Sequence, residues 1–240
     1  MNPGGPDQDD TPAQPMFGFP APAAHWDGLI EGLHNAAALR LAGRPDDWAT
    51  PVLCLTGPAK CGLSYLAAAW AARFGAVLID GPMLAKAVKS PAALAEAHVV
   101  IDDADLSLGR NEDVLVSLMN LIAAGGGRLL LTAHRAPSQW RVASADLRSR
   151  VKALPVGEIG MPDEEGLRAR LVLAAERRFL RLSQETLNYL VPRLELAYEA
   201  VEDFMDRLSA SVSDADRAPS LPLARRVLER MGGPDGDDEG

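Results

Sequence analysis

Gly57-Pro58-Ala59-Lys60-Cys61-Gly62-Leu63-Ser64 sets two glycines and a serine at the spacing of a phosphate-binding loop. The pattern is G-x-x-x-x-G-K-[ST], and every position fits except Leu63, which stands where the lysine belongs. In an intact loop the glycines let backbone N–H groups wrap phosphate at a helix N-terminus, and the lysine neutralises the outer phosphates. Leu63 removes that charge and keeps the architecture, although Lys60 could partly substitute from within the loop. Further along, Val99-Val100-Ile101-Asp102-Asp103-Ala104-Asp105 is an apolar run ending in carboxylates. Asp102, with Ser64, could hold Mg²⁺, and Asp103 could orient an attacking water. Aspartates also close strands simply as turn formers.

Two more runs carry candidate chemistry. Arg128-Leu129-Leu130-Leu131-Thr132-Ala133-His134 ends in polar residues, where ligands sit in open parallel sheets. Thr132 or His134 could sense a terminal phosphate; His134 could equally do no more than cap the strand. Leu147-Arg148-Ser149-Arg150-Val151 places two arginines on neighbouring helix faces. Both could serve solubility alone, or one could reach a nucleotide held by a neighbouring molecule. His25, His34 and His98 are scattered without metal-ligand spacing, so no zinc site is expected.

These residues need a frame. Short apolar runs at Val52–Thr56, Ala76–Asp80, His98–Asp102, Arg128–Thr132 and Ala153–Ile159 alternate with helical segments, notably Tyr65–Phe74 and Asn111–Ala124. That alternation predicts an α/β fold, a parallel sheet with flanking helices on both faces. The helical pattern is expected to start at Leu29. After Met161 the strands stop, and Asp163–Phe179, Ser183–Leu194, Tyr198–Ser209 and Leu223–Met231 read as a small all-α domain, with Ser183 and Ser220 as entry signals. The expected organisation is a tail over 1–24, an α/β nucleotide-binding domain over 25–160, a helical lid over 161–231 and an acidic tail over 232–240. The Pro, Gly and Asp content of the first segment predicts disorder.

The 240 residues carry a net charge of −9, which argues against free-standing DNA binding. Two cysteines, Cys54 and Cys61, make no disulfide framework. With no apolar run near the length of a membrane span and no secretory pattern, a cytoplasmic protein is expected.

The ordered set of motifs resembles the AAA+ module of the DnaA-related family of bacterial replication proteins, and within it the Hda-type regulators that switch the initiator off. Trp26-Asp27-Gly28-Leu29-Ile30-Glu31-Gly32-Leu33-His34-Asn35 is similar to the family box that lies against adenine, so Gly32 and Asn35 join Gly57, Lys60, Gly62, Ser64, Asp102 and Thr132 as implied nucleotide contacts. Arg178-Phe179-Leu180-Arg181-Leu182 and the helix after it resemble the lid. Gln14, Met16, Phe17 and Phe19 resemble the family's peptide for docking on the replicative sliding clamp, although a chance aromatic pair would look the same. The sequence stops soon after the lid, so no DNA-gripping domain is expected.

The resemblance implies an inhibitor of DNA replication that docks on the clamp and presents Arg150, or failing that Arg148, to ATP bound by DnaA. DNA contact would be indirect, through the clamp at the nucleoid or replisome; a homodimer is open. Two departures matter: Leu63 in the loop, and Glu199 where the lid arginine belongs. A phosphate contact contributes about 1.5–3 kcal/mol. ADP or ATP with Mg²⁺ is therefore expected to bind weakly, with a diphosphate preference, or not at all, and Asp103 to be vestigial. The alternatives are an autonomous AAA+ ATPase of helicase-loader or transposition-helper type, and a nucleotide-independent adaptor between clamp and DnaA.

Overall fold

The computed structural model describes residues 24–109, 111–212 and 218–232. The five apolar runs become β1 (Val52–Thr56), β2 (Val77–Asp80), β3 (His98–Asp102), β4 (Arg128–Ala133) and β5 (Val156–Glu158). They form one sheet in the order β2-β3-β4-β1-β5, with every neighbouring pair parallel. Because the strands are parallel, β1, β3 and β4 all end at the same edge. The Gly57 loop, Asp102 and Thr132 therefore converge there.

Both faces of the central strands β1, β3 and β4 are covered, as continuous apolar strands require, while the edge strand β2 leaves Val77 and Leu78 exposed. Along β4 the side chains alternate: Leu130 joins one cluster, and Leu129 and Leu131 the other. The first cluster is closed by α1 (Ala36–Ala42) and α2 (Leu63–Phe74), through Leu39, Leu66 and Trp70. The indole of Trp70 donates to the Ala42 carbonyl at 2.9 Å and stacks on Trp48. The second is closed largely by α4 (Glu112–Gly125) and α5 (Ala145–Lys152), through Leu115, Leu118, Leu147 and Val151, with the short α3 (Leu84–Ala87) contributing Leu84.

Four helices follow with a core of their own: α6 (Glu164–Arg177), α7 (Gln184–Leu190), α8 (Tyr198–Ala210) and α9 (Leu221–Gly232). Leu167, Leu171, Leu187, Phe204, Met205 and Val227 meet there. Asp163 and Ser183 cap α6 and α7 by accepting the Gly166 and Thr186 amides. Among the described residues no helix is long and apolar enough to cross a membrane.

The structure corrects several boundaries. Residues 29–35 are not helical. The Asn35 side chain donates to the Ile30 carbonyl and accepts the Gly32 amide, each at 2.8 Å, so a side-chain-held turn displaces the first helical turn. Helix α2 starts two residues before Tyr65, at Leu63, after Gly62 turns the chain at φ 102°. Strand β5 is shorter than expected because Ala153 caps α5 and Pro155 follows closely. Helix α7 stops at Leu190, since Pro192 lacks the amide that would continue it. Helix α9 starts early, at Leu221, because Pro222 is tolerated in a first turn.

Leu63 is 3% exposed and belongs to the cluster beneath α2. The residue that displaces the loop lysine is thus a core residue. Leu63→Ala should lower the unfolding free energy by about 2–4 kcal/mol in urea titrations. A loss below about 1 kcal/mol would mean that the site can do without this packing.

Candidate functional site

The loop between β1 and α2 keeps the shape of a phosphate cradle. Gly57 has no room for a side chain: a Cβ there would come within 2.7 Å of the Cys61 sulfur and 3.0 Å of the Ile159 Cβ. Lys60 is exposed, sits at φ 62°, and enters the site through its carbonyl oxygen. Burial pushes the Cys61 thiol up to about 11, so it is a protonated wall and not a nucleophile. The amides at the start of α2 face the loop as a helix N-terminus does.

A cavity of about 320 Å³ opens beside this loop. Its walls come from three parts of the chain: the turn at Gly28–Ile30 with His34 and Asn35, the loop and α2 at Cys61, Gly62 and Tyr65, and the helical domain at Arg170, Arg177 and Tyr198. Glycines shape it. A Cβ at Gly28 would lie 2.5 Å from the Tyr65 hydroxyl, which accepts the His25 amide. A Cβ at Gly32 or Gly166 would lie 2.7 or 2.9 Å from the His34 ring. His34 is edge-on to Tyr198 at 6.2 Å, and burial lowers its pKa against the pull of Asp163. Its Nδ1 is buried without a hydrogen-bond partner among the described residues. Apolar walls with a few inward polar atoms suit a small planar ligand.

Sequence reasoning missed Arg170 and Arg177, the two arginines that line this cavity. Arg170 donates from one terminal nitrogen to the Lys60 carbonyl at 2.9 Å and to Glu202 at 2.8 Å, and is 11% exposed. Arg178 holds the other oxygen of Glu202 at 2.8 Å and also pairs with Asp206. Burial works to raise the Glu202 carboxyl, yet Arg178 and Arg170 together hold it below the usual range. Arg177 lies over the Tyr65 ring, and burial, with the nearby Arg170 charge, lowers its pKa. Arg170 and Arg177 are seven apart on α6 and so share a face. That spacing was the available signal. Glu199 is exposed in the first turn of α8, close enough to help raise Cys61.

At the sheet edge the expected polar residues meet one another. The Thr132 hydroxyl, fully buried, donates to Asp102 and accepts the Asp103 amide at 3.1 Å. Its hydrogen bonds tie the ends of β3 and β4 together at this edge. His134 is the one of the pair that bridges: Nδ1 lies 3.1 Å from the Gly57 carbonyl and Nε2 3.7 Å from Asp103. Burial and then the Asp102 charge raise the Asp103 pKa, with His134 opposing. Among the described residues no three His, Cys, Asp or Glu side chains are grouped to hold a metal alone. Mg²⁺ at phosphates needs only one or two carboxylates, with phosphate and water completing its shell. Asp102 at the end of β3 and Ser64 in the first turn of α2 are oxygen donors of the kind such a site uses, and the Oδ1 of Asp105 is buried without a partner among the described residues.

The two arginines of α5 are held differently. Arg148 donates to the Val142 carbonyl from two nitrogens, at 3.2 and 2.7 Å, and to Ala143. Among the described residues Arg150 makes one side-chain bond, to Asp146 at 2.9 Å. The start of α5 is fixed by Glu112, 7% exposed, whose carboxylate accepts the Ala143 amide at 3.0 Å and the Ser144 amide at 2.7 Å. Gln14, Met16, Phe17 and Phe19 lie outside the described residues.

The Ala143 and Ser144 amides hold the Glu112 carboxyl below its ordinary value. A depressed carboxylate contributes stability above the unfolded-state value of 4.5 and loses it as pH falls through the folded-state value. Glu112→Gln should therefore cost about 1.5–3 kcal/mol at pH 7. The gap from wild type should close on acidification, as followed by urea unfolding across pH. A gap that persists unchanged in acid would show that packing, not charge, is what Glu112 supplies.

Among known proteins, no family model matches the chain. An uncharacterized protein of Haemophilus influenzae is 34% identical over 137 residues, covering 54% of this chain and 58% of that protein. The chromosomal replication initiator DnaA of Flavobacterium psychrophilum is 25% identical over 135 residues, 55% of this chain and 28% of that protein. The chain thus spans less than two thirds of either curated relative. Domain III of Thermotoga maritima DnaA superposes with a TM-score of 0.71 at 18% identity, over 89% of this chain and 99% of that one. AMPPCP-bound DnaA of Aquifex aeolicus gives 0.68 at 15% identity, over 88% and 70%. A Thermotoga maritima RuvB variant gives 0.61 at 18% identity, over 90% and 76%. The fold is the AAA+ fold of DnaA domain III, joined by a weak sequence homology to DnaA itself.

Proposed function

We propose that this protein is an Hda-like negative regulator of replication initiation. It docks on the sliding clamp through Gln14, Met16, Phe17 and Phe19 and presents Arg150 to ATP held by DnaA, whose hydrolysis leaves the initiator in its inactive ADP form. The observation that carries this reading is the contrast between the two ends of the fold's chemistry. Its own loop has given its lysine position to the core at Leu63, whereas Arg150 is restrained by one exchangeable carboxylate. Chemistry supplied to a partner needs a mobile cation and no turnover of its own. Arg148 suits the role less, since it is tied to backbone carbonyls. The cavity is read as a nucleotide site by likeness to the AMPPCP-bound DnaA fold. An ADP or ATP bound there would lie against Asn35 and Gly62, which line the cavity, with its phosphates towards the loop of Gly57, Lys60 and Ser64.

Single-turnover ATP hydrolysis by DnaA, with DNA-loaded clamp and with or without this protein, tests the reading. Arg150→Ala should remove the stimulation, because an arginine finger contributes roughly 10³–10⁵ in rate. Arg150→Lys should not restore it, since a point charge lacks the planar fork. Stimulation that survives Arg150→Ala would favour a bridging adaptor. Steady turnover by the isolated protein that Asp103→Asn abolishes would favour an autonomous ATPase.

Clamp docking is tested separately. Gln14→Ala combined with Phe17→Ala should abolish binding to the clamp in surface-plasmon measurements and leave the melting temperature unchanged. Parental affinity in that double variant would remove the peptide from the account.

A further inference from the structure

We propose that Arg148 and Glu112 are positioning residues, which clasp the peptide groups of residues 142–144 from opposite sides and so aim Arg150. The proposal deepens the Arg150 reading given above and rests on it.

Residues 142–144 lie between the short 3-10 turn at Pro137–Gln139 and the first residue of α5. Neither strand nor helix supplies partners for the amides of 143 and 144 or the carbonyls of 142 and 143. Such groups must find partners elsewhere or stay with water. Here each side finds a charge of the matching sign. The Glu112 carboxylate accepts the Ala143 and Ser144 amides, and the Arg148 guanidinium donates to the Val142 and Ala143 carbonyls. Glu112 also accepts the Gly109 amide at 3.3 Å, which ties the clasp to the segment that follows β3. An arginine kept for solubility points into water. Arg148 instead turns back and places three hydrogen bonds on two adjacent carbonyls.

Aim matters because the cation stands well beyond the point that is held. Arg150 lies six residues past the Ser144 cap, about 9 Å along the helix axis. A swing of about 10° at the cap would carry that point roughly 1.5 Å. A misplacement of about 1 Å can cost on the order of a hundredfold in rate. Leu147 and Val151 seat one face of α5 in the core. Apolar contact is non-directional, so the held start decides where the axis points.

Single-turnover hydrolysis by DnaA, with DNA-loaded clamp and the full chain, is paired with amide hydrogen exchange of the full chain alone. Arg148→Ala should lower the stimulated rate by about ten- to a hundredfold. The concentration of this protein giving half the effect should stay within about twofold, since aim acts on the chemical step. In the same variant the Ala143 and Ser144 amides should exchange at least about tenfold faster. Arg148→Lys should recover most of both losses, because an ammonium also donates to carbonyls. Arg150→Lys should recover nothing, and that contrast separates an aiming cation from a finger. Glu112→Gln should repeat the pattern of Arg148→Ala, with melting curves checking that each variant is folded. If Arg148→Ala leaves the rate intact, the proposal fails and the finger reading stands, whether or not exchange quickens. If Arg148→Lys protects the amides but leaves the rate lost, Arg148 is itself the finger and the proposal fails. If Arg150→Ala keeps the stimulation, or wild type gives none, the finger reading falls and the aiming role falls with it.

Discussion

The Arg170 guanidinium joins the Lys60 carbonyl to Glu202, and through Glu202 to Arg178 and Asp206. Two parts of the chain 110 residues apart meet at that nitrogen. The cavity is the space they enclose. Charge-assisted bonds in this partly buried setting contribute about 1.5–3 kcal/mol each. The i,i+4 pairs Arg150–Asp146 and Arg207–Asp203 are far more exposed and contribute about 0.3–0.5 kcal/mol. The ion pairs near the loop therefore set the geometry, and those on the helix surfaces decorate it. A second tie runs through Tyr198, whose hydroxyl donates to the Gly160 carbonyl at 3.2 Å, while the Gly160 amide bonds His34.

Replacing the loop lysine changes more than a charge. Leu63 fills the core under α2, so the helix whose N-terminus faces the loop is anchored by packing at its first residue. Positive charge reaches the cavity from α6, on a helical domain with its own core. Charge and cradle thus belong to different folding units, and their relative position becomes part of the site's chemistry. The glycines around His34 and Tyr65 serve the same end. Each removes a Cβ that would push the turn, the loop or α6 out of register with the others.

The sheet was legible in the residues because its signals are local. Val52–Thr56 and His98–Asp102 are strands over the ranges that their apolar runs predicted, and the Ser183 cap is where a serine before a helical period belongs. The failures lie where a side chain competes with the backbone or where partners are far apart in sequence. Asn35 ties Gly32 and Ile30 into a turn that periodicity reads as helix. Arg170 and Lys60 carry no local mark of their contact. Glu112 looks like any acidic first-turn residue of a helix until Ala143 and Ser144, some thirty positions on, donate to it. Thr132 was legible as a residue at the strand end, but its buried bond to Asp102 was not.

The arrangement of α5 gives the proposed trans role its physical economy. A cation that must act in another molecule's site needs a fixed base and a free tip. Glu112 supplies the base by binding the amides that precede and open α5, which leaves the helix start little freedom. Arg148 adds to that rigidity by turning back on Val142 and Ala143. Moving it onto a ligand would strip two carbonyls of a charged donor. Arg150 gives up only Asp146, a partner 55% exposed that water can replace, so its release costs about 0.5 kcal/mol or less. A finger contact in a developing transition state is larger than that by several kilocalories. For the proposed role, that difference would let Arg150 be paired with Asp146 and still be available to a partner.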